Sequence, residues 1–124
     1  MGILKSATIP VTTTGSAGSG AGNADSETFH GEIVGIHINH DANAPATTDI
    51  TISDKRTGIT ILNINNSATD VFKVPGIFAV DSAGAGLTND VKPQPYVVDQ
   101  GVNVAVAGGN SITNHTVVTV HYRK

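Results

Sequence analysis

The chain has 124 residues, and its 7 Lys and Arg against 10 Asp and Glu give a formal net charge of −3. This length fits one small domain. The absence of Cys excludes a disulfide scaffold and a Cys-based zinc site. The chain lacks the basic run of a nucleic-acid-binding protein and the roughly 20 consecutive apolar residues of a membrane-spanning helix. The first six residues lack the apolar core of a signal peptide, which predicts a protein that is not exported.

Residue composition predicts an all-β protein. The chain contains 14 Val, 12 Ile and 15 Thr but only 3 Leu and 2 Glu. Branching at Cβ restricts χ1 in a helix and suits a pleated strand, whereas straight-chain helix formers are nearly missing. Fourteen Gly and five Pro supply turns between strands.

The N-terminal quarter of the chain is predicted to lie apart from the body. Residues 7–14 form a first extended segment, and Pro10 favours either an edge strand or an arm. Residues 15–27 are rich in Gly, Ser and Ala, as is typical of a flexible linker. We therefore predict an extended arm over residues 1–14, a linker over 15–27 and a β-sandwich domain over 28–124. A disordered N-terminus is the alternative.

Alternation of apolar and polar residues predicts the strands of the body. Five polar residues ending in Gly58 separate two alternating runs and predict a hairpin turn over 54–58. In the first alternating run, Val34, Ile36 and Ile38 are predicted to share one face and Ile33, Gly35 and His37 the other. The alternating runs cover residues 29–40, 49–53, 58–64, 69–74, 102–106 and 111–122.

Residues 77–98 are predicted to be more irregular. They contain a short apolar strand over 77–80, a turn over 81–86 and a segment over 91–98 with Pro93 and Pro95. Two missing N–H donors place that last segment at a sheet edge or in polyproline conformation. Seven or eight short strands with turns every 8–12 residues predict a single antiparallel β-sandwich of jelly-roll type.

The best metal candidate is the run from His37 to His40. On a strand His37 and Asn39 share a face and His40 points to the other, so the two imidazoles cannot bind one ion unless the strand twists or ends there. The sequence therefore predicts no metal and no cofactor. His115 and His121 are predicted to lie in step with Val117 on the last strand, as surface or interface residues.

Other reactive patterns are sparse. The two Glu lie near the predicted linker, and most Asp lie at strand ends, where they commonly cap turns through the backbone. No nucleophile elbow or phosphate loop is present, because both need a helix. Sugar binding on a β-sandwich normally uses exposed aromatic rings, and a core of this size is expected to bury most of the five in this chain. The sequence thus predicts a protein that acts by contact and is not an enzyme.

Several short β motifs of the body resemble a known family. They lie within 49–54, 58–62, 69–75, 81–88, 96–98, 101–107 and 116–120. This series is similar to the head decoration, or capsid cement, proteins of tailed bacteriophages, over roughly residues 29–122. Phage tail and fibre modules share much of it.

The resemblance implies a homotrimer that is made in the host cytoplasm and binds the major capsid protein on the outside of the virion. In such proteins an extended terminal arm can reach the shell or a neighbouring trimer. The apolar residues of the predicted arm are then the candidate capsid contacts: Ile3, Leu4, Ile9 and Val11. The alternative is a tail, fibre or adhesion module that binds a host receptor or glycan.

Overall fold

A computed structural model describes residues 2–77, 83 and 94–124. These residues form strands and turns and contain no helix, so none of them forms a helix able to cross a membrane. The strands are β1 (Leu4–Val11), β2 (Gly20–Asp25), β3 (Gly31–His40), β4 (Asp49–Asp54), β5 (Thr60–Ile64), β6 (Val71–Lys73), β7 (Gly76–Ile77), β8 (Gln94–Pro95), β9 (Val97–Val98), β10 (Val102–Gly109) and β11 (Thr116–Arg123).

The strands form two main antiparallel sheets, which confirms the all-β, antiparallel prediction. The first sheet has the order β1-β11-β3-β6, and the short β9 also pairs with β3. The second sheet has the order β2-β10-β4-β5, and β7 and β8 form a separate two-stranded ribbon. Apolar side chains from the inner faces of both main sheets form one core, as in a β-sandwich.

The strand pairs are nested along the chain. β1 pairs with β11, β2 with β10, β3 with β6 and β9, and β4 with β5. The strands of the two main sheets are thus paired as in one long hairpin whose tip is the β4–β5 turn. Successive strand pairs of this hairpin lie in alternate sheets. The predicted turn at 54–58 is confirmed at that tip.

The core is built from β-branched side chains that alternate along each strand. Ile36 and Ile38 on β3 and Val118 and Val120 on β11 are inaccessible to solvent. On the second sheet the corresponding residues are Ile50, Ile52, Val102, Val104 and Val106. Burying each such side chain contributes about 1.5–3 kcal/mol, before the entropy of ordering the chain is subtracted.

The N-terminal segment is part of the sandwich, where the sequence predicted an arm. β1 pairs with β11 in unbroken register from Leu4 to Val11, and Ala7, Ile9 and Val11 point into the core. The physical reason is the alternation of these apolar residues, which gives β1 a face to bury. The edge position that Pro10 favoured is confirmed, because β1 is the outermost strand of its sheet.

The predicted linker is also structured over much of its length. Residues 20–25 form β2, which pairs with β10. A Cβ on Gly22 would overlap the Thr12 carbonyl, so glycine permits the backbones of the two segments to approach closely. Small residues here serve close packing between the two sheets, and both predicted N-terminal parts belong to the same body as residues 28–124.

A β-bulge changes the side-chain pattern predicted for β3. The pairing with β11 shifts between Gly35 and Ile33, and both Ile33 and Ile36 are buried. The bulge breaks strict alternation, so Ile33 points inward although it was predicted to face away from Ile36. The rest of the predicted strand over 77–80, the turn over 81–86 and residues 91–93 lie outside the described residues, apart from Ile77 and Ala83.

Candidate functional site

The sandwich has two chemically different ends. We call the end at which β1 begins and β11 finishes the terminal end; it also carries β9 and the β4–β5 turn. The opposite end, which we call the loop end, is formed by the connections over residues 12–19, 41–48 and 110–115. Exposed apolar side chains lie toward the terminal end, and a buried histidine lies at the loop end.

The outer face of the first sheet carries most of the exposed apolar side chains. Six large hydrophobic residues are exposed in the described part of the chain. Leu4 and Val97 lie at the two ends of one cross-strand row, with Arg123 and Glu32 between them. Phe72 and Val74 lie farther along the same face, so it holds four of the six.

Phe72 is held in a defined place on this face. Its side chain is 56% exposed, yet the tip of its ring covers Gly35, where a Cβ would overlap the ring. The His121 ring lies beside it with a centroid distance of 6.0 Å. His37 is the direct cross-strand partner of Phe72. Because Gly35 has no side chain, the exposed ring of Phe72 can pack against its backbone, next to two histidines.

A shallow pocket opens where β3 bulges and β6 ends. Its volume is about 220 Å³, and its lining includes Val34, Val74, Pro75 and Pro95. Glu32 and Arg123 also line it, and their charged groups lie 3.9 Å apart with both side chains about half exposed. The pocket thus has an apolar floor next to a screened ion pair, which suits an apolar side chain or ring of a partner.

The four predicted contact residues divide into two pairs. Ile9 and Val11 are fully buried in the core and are unavailable for contact, which corrects their assignment to a free arm. Ile3 and Leu4 are 65% and 63% exposed at the terminal end. Only these two stay candidates for contact with a partner.

The histidines of β3 lie as predicted, whereas His115 does not. His37 and Asn39 share the outer face of β3 and His40 points away from them, which confirms the predicted alternation. No group of three His, Cys, Asp or Glu in the described residues is arranged to hold a metal ion. His115 was predicted to lie in step with His121 on a surface strand, but it precedes β11 and is fully buried.

The loop end contains a bridged pair of histidines. The Thr116 hydroxyl lies 2.9 Å from His115 Nδ1 and 3.2 Å from His40 Nδ1. A hydroxyl has a single proton to donate, so at most one of these nitrogens can accept from it. His115 Nε2 is buried beside Gly109 and has no hydrogen-bond partner among the described residues.

Burial decides the titration of this pair. Loss of solvation lowers the pKa of His115 below its ordinary value of 6.5, against an opposing effect of Asp41. Burial also lowers the pKa of His40; the Asp70 carboxylate opposes this shift and His115 adds to it. Both rings are therefore harder to protonate in the folded chain than in water, and we expect acid to destabilise the folded state through this pair.

Carboxylates at strand ends cap turns, as predicted. Asp54 Oδ1 accepts hydrogen bonds from the backbone N–H groups of Arg56 and Thr57, and Asp41 accepts one from Asn43. Asp70 accepts a 2.7 Å bond from the His40 backbone N–H. Asp41 and Asp54 thus bond to turns, whereas Asp70 bonds to the end of β3, so all three acids hold backbone groups at strand ends.

The exposed ring of Phe72 is the main feature that sequence reasoning missed. Phe29 and Tyr122 do stack in the core at 4.1 Å, in line with the expectation that the core consumes aromatic residues. A Phe on the strand adjacent to a Gly is the signal that could have indicated an exposed ring. That signal depends on the pairing of β3 with β6, which cannot be predicted from one sequence.

Comparison with known proteins adds no relative. No protein-family model matches the chain, and no curated protein or solved structure is significantly similar to it. The outer face of the first sheet is the candidate binding surface of the described residues.

Proposed function

We propose that the protein decorates and stabilises a bacteriophage capsid, binding the outside of the major capsid protein lattice as a homotrimer. The observation that carries this proposal is the outer face of the first sheet. It combines exposed Leu4, Phe72, Val74 and Val97 on one face of the sandwich. Exposed apolar patches of this kind mark interaction surfaces, and the short β motifs of the body resemble those of head decoration proteins.

The strand order supports the finer part of the proposal, a jelly roll. A jelly roll has eight strands in two sheets connected as two Greek keys. Strands β1 to β6 with β10 and β11 supply eight, and their four nested pairs lie alternately in the two sheets. Jelly rolls occur in viral capsid proteins and in lectins, and this association fits both the proposed function and its alternative.

The proposed mechanism is stabilisation by binding one state of the shell. A protein that binds the expanded lattice and not the precursor adds to the free energy required to disrupt that lattice. Each protomer offers a modest patch, but a trimer engages several capsid subunits at once, so avidity strengthens the attachment. The contacts come from the body itself, because β1 is committed to the sheet.

The test is binding to isolated shells of the phage that encodes the chain. Purified protein should run as a trimer in light scattering and should cosediment with expanded shells but not with unexpanded ones. The double variant Val74→Ser and Val97→Ser should lose at least tenfold in shell affinity and keep its melting temperature. Ala46→Ser, an exposed change at the loop end, is the control. A monomer that ignores expanded shells would contradict the proposal.

Phe72 supports a second candidate, binding of a host glycan by a tail or fibre module. An exposed aromatic ring offers an apolar face to a sugar, and His37 and His121 beside it offer hydrogen-bonding nitrogens. This alternative places the protein at the tail tip. Electron cryomicroscopy of the particle distinguishes the two locations directly.

The glycan alternative has its own measurement. Phe72→Ala should abolish retention on an immobilised glycan that the parent chain binds, whereas Val97→Ser should leave retention unchanged. If no saccharide in a broad glycan array retains the parent chain, the alternative is wrong. Loss of shell binding in both variants would favour capsid decoration.

A further inference from the structure

The free edge of β1 presents a regular set of unpaired backbone groups. Ile3 and Lys124 exchange two backbone hydrogen bonds of 3.1 and 3.0 Å. In an antiparallel pair, residues that exchange bonds alternate with residues that do not. Since the register runs unbroken through β1, Lys5, Ala7, Ile9 and Val11 bond to β11, and the even-numbered residues turn their backbone groups away.

The outward-facing groups lie at Leu4, Ser6, Thr8 and Pro10. The first three each direct an N–H and a C=O away from the sheet, and Pro10 directs only a C=O because it has no N–H. All four side chains are exposed and uncharged. β1 is the outermost strand of the first sheet, so among the described residues no strand pairs with this edge.

We propose that this edge pairs with the β1 edge of a second copy, antiparallel about a two-fold axis at Ser6. In this register Leu4 exchanges two hydrogen bonds with Thr8 of the other copy, Thr8 does the same with Leu4, and Ser6 pairs with Ser6. All three free N–H groups of each chain then donate to a carbonyl. Pro10, which cannot donate, falls beyond the paired segment.

Two features of β1 favour a second copy over an unrelated strand. The pattern of donors and acceptors is symmetric about Ser6, so the edge is complementary to itself, as an isologous contact requires. Uncharged side chains also meet across the pair, with Leu4 opposite Thr8. Such pairing closes on itself and uses the whole edge, so each edge joins one other copy and no more.

The single charge on β1 sets the strength of this contact. Lys5 is exposed on the other side of the strand, and the proposed register places it diagonally from Lys5 of the second copy. Charged residues of this kind limit pairing at sheet edges. The contact is therefore weak at low salt and strengthens as salt screens the two ammonium groups. It does not depend on shell binding or on the trimer interface.

Proline at an outward-facing position tests the pairing. Ser6→Pro removes the central free N–H and leaves every bond to β11 in place, and Pro10 already occupies the same phase of the strand. Sedimentation velocity over a wide concentration range should show self-association through this edge weakened at least tenfold in Ser6→Pro and strengthened several-fold in Lys5→Gln. Ala7→Pro is the contrast, because the Ala7 N–H faces β11 and its loss should lower the melting temperature.

A measurement on the parent chain makes the test independent of folding defects. Amide exchange at Leu4, Ser6 and Thr8 should slow as protein concentration rises, while exchange at exposed loop amides stays constant. If these three amides exchange equally fast at low and high concentration, the pairing is wrong. Association that Ser6→Pro leaves unchanged would also overturn it, even where the trimer and shell binding are intact.

Discussion

The two ends of the sandwich differ in which side chains they bury and which they expose. At the loop end polar side chains turn inward, and Thr13, Thr48, His115 and Thr116 are all buried. At the terminal end apolar side chains turn outward, and Ile3, Leu4, Ile59 and Val97 are all more than half exposed. Each end thus departs from the rule that apolar residues are inside, in opposite directions.

The inverted pattern indicates how stability and contact are divided. Buried hydroxyls at the loop end bond to backbone carbonyls, as Thr48 Oγ1 does to Pro45 at 2.7 Å and Thr13 Oγ1 does to Asn110. These bonds hold connections that have few apolar contacts of their own. The exposed residues of the terminal end contribute little to folding, so we expect substitutions there to affect binding and substitutions at the loop end to affect stability.

The largest effect is expected within a single strand. Ile9→Ala removes a buried side chain and should lower the free energy of unfolding by about 2–5 kcal/mol, whereas Leu4→Ala should change it by no more than about 0.5 kcal/mol. Urea denaturation of both variants measures the difference. Equal losses would mean that β1 is not docked as described. Leu4→Ala should instead weaken binding to expanded shells.

At the loop end, a single methyl group should disturb the buried histidine. A Cβ on Gly109 would lie 2.6 Å from His115 Nε2, so Gly109→Ala should cost about 1–3 kcal/mol by overpacking. The double variant with His115→Ala should recover part of this cost, because the clashing ring is gone. Strict additivity of the two losses in a double-mutant cycle would contradict this contact.

Acid should also destabilise the loop end selectively. Burial holds the pKa of His115 below 6.5. As the pH falls below 6.5, His115 therefore binds a proton in the unfolded chain before it does so in the folded chain. The free energy of unfolding should be flat above about pH 7.5 and fall below pH 6.5, by at most about 1.4 kcal/mol per pH unit for this residue. The loss ends once the pH passes below the pKa of the folded state.

Paired variants locate the origin of this pH dependence. His115→Gln should flatten the profile between pH 5.5 and 7.5, a window above the ordinary range of carboxylates. His40→Gln should flatten it in part, because burial lowers the pKa of His40 as well and Asp70 opposes the shift. A profile that keeps its full slope in both variants would place the acid sensitivity elsewhere in the chain.

Local pattern was sufficient for most strands of the body, but it was insufficient for β2, which was predicted as a linker, and for the strand partners. Alternation in β4 and the turn after Asp54 were readable because each depends on neighbours in sequence. The role of β1 was not, since Ala7, Ile9 and Val11 are buried only through pairing with β11 more than a hundred residues away. Likewise the Phe72 ring packs on Gly35 only because β6 lies beside β3. The bulge in β3 depends on the register of β3 with β11.

The smallest effect concerns the charges of the terminal end. Arg56 in the β4–β5 turn forms a salt bridge with Asp99, and both side chains are about half exposed. Exposed ion pairs contribute about 0–1 kcal/mol to stability and are screened by salt. Arg56→Ala should therefore lower the free energy of unfolding by less than about 1 kcal/mol, and it should have no effect in 1 M salt. Asp54 should matter more in the same turn, since it is buried and accepts two backbone N–H bonds. If Arg56→Ala destabilised the chain as much as Asp54→Ala, the salt bridge would hold this turn as firmly as the buried carboxylate does, and exposed side chains of the terminal end would contribute to stability.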